Sequence, residues 1–567
     1  MEMSGGDIIL KMFQGQGIEN IFCSPGTEWA SVWEGLARRY DQGDKSVKYT
    51  SCRHENLAVA MALGYTNVTG RLAAVLLHAS VGPLQGAIAM RAAYQSRTPM
   101  IICAADTSGV NASGQGTDWG GHWLSSLADV GGSVPMFKPY VKWANTITSR
   151  ETLIDSLYRG CRIARTTPRG PVFLAVSKEL TVELFQDPAI PGMSPPAPLP
   201  EPGARDLADV AEQLINSKNP IIITEHAGKQ PENVHKLVAL AELLGIPVFE
   251  CMSPNFLNFP KTHPLHMGSR PAEALKDADT VLVVGATSPW YPPEAFPRSG
   301  TKVIFLDEDP LKEYLPYWGF AVDSMLAGDV GAWLTALVDL IRPRVQAAGQ
   351  NGRVYKERFE KWRARHDQMV KAGESEAIAA RANRPMSAKS FFHTLNSLLP
   401  EESVVVEECI THKPFISKYL TRQQAFYKSV GGLGTGLGIT AGTKFACQDK
   451  PVFFLVGDGT FHYNPILPGL GLCQEYQLPI CIMVLNNGGY LAMKQTHHEC
   501  FPDGCAARNQ SSLGFPITPV PDYIKIAEAY DAYGEKIETH DGIEPALGRA
   551  LEQMAAGRSV ILDVVLG

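Results

Sequence analysis

Long apolar runs are missing from this chain. Its longest stretches (VVGA, PIIIT, VFFLVG and AAVLLH) fall far short of the roughly 20 residues that a bilayer-spanning helix needs, which excludes a membrane-spanning reading. The opening MEMSGGD has neither a basic n-region nor an apolar h-region, so it does not read as a secretory signal. Positive charge is in deficit. With 51 Lys+Arg against 58 Asp+Glu the formal charge is −7, which argues against a chain-wide binder of nucleic acid or of an anionic membrane. A paired cysteine framework is also lacking: eleven cysteines, an odd number, are scattered over the sequence and read as the reduced thiols of a cytoplasmic protein. What is present is ordinary for a folded protein. At 567 residues, 45% hydrophobic and 19% charged, the chain is too apolar for disorder and too long for one core.

Two punctuations divide it. Residues 187–203, DPAIPGMSPPAPLPEPG, carry seven prolines in seventeen positions. Proline fixes φ and removes a backbone donor, so this stretch reads as an extended linker. The second punctuation is charged and helical in pattern, RVYKERFEKWRARHDQMVKAG, followed by the polar connection ESEAIAARANRP. The expected domains are 1–186, 204–345 and 375–567. Within each, short β-branched runs alternate with amphipathic stretches of ten to fifteen residues: AAVLLH and PMIICAAD in the first, PIIIT, TVLVVGA and KVIFLD in the second, SVVVEE, PVFFLVGDG, PICIMVLNN and SVILDVVL in the third. Runs apolar on both faces and joined by crossover helices imply parallel sheets, and the expected fold class is α/β with three doubly wound parallel-sheet domains.

The strongest chemical signal lies in PVFFLVGDGTFHYNPILPGLGLCQEYQLPICIMVLNNGGY. One strand ends at Gly457-Asp458-Gly459-Thr460 and, after a helical crossover, the next ends at Asn486-Asn487. Parallel neighbours finish at the same sheet edge, so Asp458 and Asn487, 29 positions apart, converge there. A carboxylate, an amide oxygen and a backbone carbonyl are hard oxygen donors of the kind Mg²⁺ requires. Either motif alone reads as a turn. Together they resemble the diphosphate- and magnesium-binding motif of the thiamine diphosphate-dependent enzymes, the family of pyruvate decarboxylase, benzoylformate decarboxylase and acetolactate synthase.

The resemblance implies bound thiamine diphosphate and Mg²⁺, with Asp458, Asn487 and the Gly489 carbonyl on the metal and Gly459, Thr460 and Thr411 on the diphosphate. That coenzyme needs a carboxyl group at its pyrimidine N1′ and an apolar wedge that bends it. Glu55, in SCRHENLAVAMALGY, matches the family's glutamate, and Leu433, in SVGGLGTGLG, matches its wedge, with the Gly431 carbonyl facing the 4′-amino group. In the family the N-terminal pyrimidine domain of one subunit meets the C-terminal diphosphate domain of another, which implies a homodimer or homotetramer. The central domain shows no G-x-G-x-x-G after its strands, so NAD and FAD are not expected.

Three matches point to benzoylformate decarboxylase-like members: Thr27 in SPGTEW at the substrate carboxylate, and His78 (VLLHAS) and His263 (NFPKTHPLHMG) as catalytic histidines. Departures are Gln85, where many relatives have asparagine, and the pocket positions Ala492, Met493 and Thr496, the last replacing a large aromatic. His122 and Trp123 belong to a longer segment, SGQGTDWGGHWLSS, that could reach the site. His497, His498, Cys500 and Cys505 match no standard zinc spacing and read as a mobile loop. The expected activity is decarboxylation or carboligation of a 2-oxo acid, with an aldehyde or ketone as possible acceptor, through a C2 ylide and an enamine. An acetolactate synthase-like carboligase, a lyase or hydrolase of diketones, and a non-catalytic coenzyme-binding scaffold stand as alternatives.

Overall fold

The computed structural model describes residues 2–79, 81–106, 132–193, 195–251, 254–291, 295–347, 349–422, 425–509, 511 and 513–567. Three parallel sheets follow one another along the chain. The first is built from β2 (Asn20–Cys23), β3 (Lys48–Ser51), β4 (Ala73–Leu77), β5 (Met100–Asp106), β6 (Trp143–Ile147) and β7 (Pro171–Ser177), in the order β3-β2-β4-β5-β7-β6. A two-stranded antiparallel pair, β1 (Glu2–Ser4) with β8 (Leu184–Gln186), ties the two ends of this unit together. The central sheet contains β9 (Pro220–Thr224), β10 (Val248–Glu250), β11 (Thr280–Val284), β12 (Lys302–Asp307) and β13 (Ser324–Ala327), ordered β10-β9-β11-β12-β13. The third has β14 (Val404–Glu408), β15 (Ala425–Lys428), β16 (Val452–Gly457), β17 (Cys481–Asn486), β18 (Tyr533–Ile537) and β19 (Val560–Val565), ordered β15-β14-β16-β17-β19-β18.

The strands bury both faces. Every residue of β4, β7, β9, β11, β14 and β17 is buried, as a sheet covered by helices on each side requires. In each sheet the strand order reverses beside the first strand, between β2 and β4, β9 and β11, and β14 and β16. Loops diverge at such a point and leave a crevice at the carboxyl edge.

The first and third units share one apolar core. Phe22, Val75 and Ile102 belong to the same buried cluster as Val406, Leu437 and Phe454. Its seam is the crossing of the helix Glu55–Thr69 with the helix Gly436–Ala446. Glycines make the close approach possible: a Cβ on Gly64 would lie 2.9 Å from the main-chain Ile439 C and Thr443 N. One on Gly442 would lie 2.8 Å from the Met61 carbonyl carbon.

The proline-rich stretch is irregular and runs back along the first unit, where Gln16 Nε2 donates to the Pro191 carbonyl at 2.9 Å. The charged stretch is a single helix, Arg353–Ala379, that also takes in the first six residues of the expected polar connection ESEAIAARANRP. Arg358 anchors it to the central unit by donating to the carbonyls of Leu244 (3.0 Å) and Ser217 (2.7 Å). Among the described residues no helix is long and apolar enough to cross a membrane.

Candidate active site

The reversal point of the first sheet gathers one group of functional side chains. β2 ends at Cys23, and its loop turns into the short 3₁₀ segment Thr27–Trp29. The Trp29 indole donates to the Leu77 carbonyl at 2.8 Å, which fixes this loop against the end of β4. His78 follows β4 directly. Its Nδ1 lies 2.5 Å from Glu28 Oε1, and the Ala79 amide donates to the same oxygen at 3.1 Å. The Glu28 side chain is 1% exposed and that of His78 is 35% exposed. The hydrogen bond that the His78 imidazolium donates to Glu28 raises the His78 pKa against the opposing effect of burial, with the Glu55 charge adding to it. Gly26 lets the loop approach, since a Cβ there would sit 2.9 Å from His78 Nδ1.

Glu55 opens its helix one strand away, behind His54, whose Nδ1 caps the Asn56 amide at 3.1 Å. Its Cγ lies close to Gly82, where an added Cβ would be 3.6 Å away, so Glu55 and His78 border one wall. Thr27 is exposed on the same edge, and Gln85 is exposed on the helix Val81–Gln95. His122 and Trp123 lie outside the described residues.

The third sheet gathers the second group. Asp458 leaves β16 buried, with Oδ1 accepting from the Gly459 amide (2.8 Å) and Oδ2 from the Gly489 amide (2.9 Å). Burial raises its pKa, and these backbone donors oppose the rise. Asn487 follows β17, and its Oδ1 is buried without a hydrogen-bond partner. A buried amide oxygen without a partner is costly unless something absent from the protein alone satisfies it. Gly459 has no room for a side chain, because a Cβ would meet the Tyr490 ring at 2.7 Å. Gly489 has none either, with Pro516 Cα 3.0 Å from the equivalent position.

No group of three His, Cys, Asp or Glu suited to a metal occurs among the described residues. The oxygen set offered by Asp458, Asn487 and a loop carbonyl is of the kind that Mg²⁺ completes with phosphate oxygens and water. Thr460 is buried beside it in the short helix Asp458–Phe461. Thr411 lies in the loop that leaves β14 at the same edge. The residues present fit a magnesium diphosphate.

Between the two groups runs the turn at 431–435. Leu433 is half-buried, and Asn56, next to Glu55, donates through Nδ2 to the Gly434 carbonyl at 2.7 Å. The Gly431 carbonyl accepts from the Arg91 guanidinium, which occupies one of its two lone pairs. Ala492, Met493 and Thr496 lie on the helix Leu491–Cys500, which has no buried residue.

Two expectations are corrected. His263 is brought to neither edge: it stands in the central unit with Nε2 3.2 Å from Glu242 Oε1 and its ring edge-on to Phe259 at 5.0 Å. Its Nδ1 accepts the Leu265 amide at 3.1 Å, so it works as a turn cap before Pro264. The segment with His497, His498 and Cys500 is helix and not loop, and Cys505 begins a further short helix, Cys505–Arg508. Sequence reasoning passed over Glu28 and Arg91. Glu28 had a signal, since it adjoins Thr27 on one of the two strand ends that flank the reversal point.

Two α/β sheet edges thus gather the candidate site residues, Glu28, Glu55 and His78 at the first and Asp458, Thr460 and Asn487 at the third. Residues 3–124, 207–337 and 411–564 match, in that order, the N-terminal TPP binding domain, the central domain and the C-terminal TPP binding domain of the thiamine pyrophosphate enzymes. The chain belongs to this thiamine diphosphate-dependent family of decarboxylases and acetolactate synthases. It is 25% identical to a benzoylformate decarboxylase of Pseudomonas aeruginosa, covering 97% of this chain and 96% of that one. It is 24% identical to the large subunit of acetolactate synthase isozyme 3 of Escherichia coli, covering 100% and 95%. The crystal structure of a benzoylformate decarboxylase from Polynucleobacter necessarius has the same fold, with a TM-score of 0.80 at 21% identity over 100% of this chain and 99% of that one.

Proposed function

We propose that this protein is a thiamine diphosphate- and Mg²⁺-dependent decarboxylase or carboligase acting on a 2-oxo acid, as a cytoplasmic homodimer or homotetramer. The observation that carries the reading is the unpartnered, buried Asn487 Oδ1 beside the Asp458 carboxylate at the reversal point of the third sheet. Asp458, Asn487 and the Gly489 carbonyl would hold the metal, and Gly459, Thr460 and Thr411 the diphosphate. When bound, thiamine diphosphate supplies the carbon nucleophile that adds to the substrate carbonyl and accepts the electron pair left by CO₂.

The chain's own residues do the rest. Glu55 would hold the pyrimidine ring nitrogen through its carboxyl group, and Leu433 would pack against the coenzyme as its apolar support. Thr27 and Gln85 face the substrate from the first sheet's edge. His78, which Glu28 holds toward its cationic form, delivers a proton to the carbon that CO₂ leaves. A proton donor standing half-exposed at that edge favours release of an aldehyde over transfer to a second carbonyl compound.

The test is incubation with thiamine diphosphate, Mg²⁺ and a panel of 2-oxo acids, diketones and aldehydes, with CO₂ and carbon products measured together. An aldehyde formed with one CO₂ per turnover is the expected result. A new carbon–carbon bond from two carbonyl compounds would make it a carboligase, cleavage of a diketone without CO₂ a lyase, and coenzyme binding with no turnover a scaffold. Glu55→Gln is expected to abolish turnover at saturating coenzyme, and full activity in that variant would refute the mechanism.

A further inference from the structure

Glu408, the last residue of β14, is 2% exposed and makes an unusual set of bonds. Its Oε1 accepts from three successive amides, those of Gly434 (2.9 Å), Thr435 (2.9 Å) and Gly436 (3.0 Å), and lies 2.7 Å from Ser429 Oγ. Its Oε2 accepts from Asn464 Nδ2 at 2.6 Å. Asn464, also buried, passes the connection on: its Oδ1 accepts the Leu437 amide at 2.9 Å and its Nδ2 donates to the Thr460 carbonyl at 3.1 Å. One carboxylate thus gathers the otherwise unpaired donors at the start of the helix Gly436–Ala446 and links them to the segment that begins with Asp458.

The turn so held needs backbone that only glycine adopts readily, with φ of 85° at Gly431 and 107° at Gly434. Such a turn has little conformational preference of its own, so its shape must come from its partners. Asn56 holds it from the first unit through the Gly434 carbonyl, and Glu408 holds it from beneath. The neighbouring Glu407 is equally buried but accepts from the Cys409 amide (2.6 Å) and from none of the turn amides.

We propose that Glu408 is a positioning residue that sets the height of Leu433 over residues 458–460, which follow β16, and so the fit of the coenzyme. The coenzyme part rests on the functional reading above. Glutamine at 408 has one amide oxygen and one NH₂ group. With its oxygen toward the turn amides, the NH₂ confronts Asn464 Nδ2, donor against donor, and Asn464 must rotate and release the Leu437 amide.

Two measurements test this. In cofactor-free protein the amides of 434–437 are expected to be protected in the wild type, and that of Leu437 to exchange at least about tenfold faster in Glu408→Gln. Thiamine diphosphate titrated with excess Mg²⁺ and followed by tryptophan fluorescence is expected to bind about tenfold more weakly to Glu408→Gln. In Glu407→Gln both readouts are expected to stay at wild-type values, which separates positioning from a general loss of a buried carboxylate. Should Glu408→Gln fail to fold, Asn464→Ala removes the same connection and carries the same expectation. Unprotected amides in the wild type, wild-type affinity in Glu408→Gln, or an equal loss in Glu407→Gln would overturn the proposal. A wild-type chain that binds no thiamine diphosphate would refute the functional reading instead, while the exchange data still judge the turn on their own.

Discussion

Alanine at Gly64 puts the close crossing of the two central helices to a direct test. Its Cβ would stand 2.9 Å from two main-chain atoms, Ile439 C and Thr443 N, and closer still to the Ile439 carbonyl oxygen. Non-bonded carbons rest at about 3.5–4.0 Å, so the helices must part by roughly 1 Å. No side chain can rotate away, because the obstructing atoms are backbone on both sides. Overpacking of this kind costs about 1–3 kcal/mol, and main-chain obstruction belongs at the upper end. Helix propensity works in the other direction, favouring alanine over glycine by about 1 kcal/mol. The net expectation is a loss of about 1–2 kcal/mol. Gly548, exposed within the helix Ile543–Ala555 and with nothing within 4 Å of its Cβ position, isolates the propensity effect. Gly548→Ala should therefore gain about 0.5–1 kcal/mol. Urea unfolding of the two variants beside the wild type reads both signs, and a Gly64→Ala midpoint at or above the wild-type value would refute the packing argument.

Other consequences are direct. Glu28→Gln removes the hydrogen-bonding partner whose carboxylate favours the His78 imidazolium. Because the native arrangement raises that pKa, the imidazolium form persists above its usual range and is lost as pH rises through the raised value. The alkaline limb of the kcat/KM profile should thus move to lower pH in the variant, and an unmoved limb would exclude the pair from proton delivery. Only Cys500 and Cys505 of the eleven cysteines are exposed, so a thiol reagent should modify two groups rapidly in native protein and all eleven after denaturation. Rapid modification of four or more would contradict the placement of the others, eight of them buried and Cys447 partly so.

Much of this architecture is legible in the amino-acid order for a physical reason. Strands covered on both faces have no polar side, so PIIIT and TVLVVGA appear as uninterrupted apolar runs, and they are β9 and β11. The Asp458/Asn487 pair is legible because a crossover helix fixes how far apart two neighbouring strand ends lie in sequence. The Glu28–His78 contact is not, since it joins strand ends 50 residues apart whose adjacency depends on sheet order. His263 misleads because capping a turn and moving a proton call for the same ring nitrogen. The helix Leu491–Cys500 reads as loop because it buries no face, and so leaves no 3.6-residue pattern to find.

The first and third sheets have the same topology. Numbering the strands within each by chain position, both run 2-1-3-4-6-5. The helix that follows the second strand is Glu55–Thr69 in one and Gly436–Ala446 in the other, and these two form the seam. Glu55 on the first helix and the turn that carries Leu433 before the second therefore come from equivalent places in two copies of one plan, and their separation is set by how closely the helices cross. That makes the seam glycines energetically coupled. Gly442→Ala meets the Met61 backbone at 2.8 Å, much as Gly64→Ala meets Ile439 and Thr443. Either substitution alone forces the same parting, so once one is present the second finds its space partly opened. The double variant should then lose less than the sum of the singles by about 0.5 kcal/mol or more. Strict additivity would mean that the helices yield by separate local bending, and that the distance between Glu55 and Leu433 is not governed by a common seam.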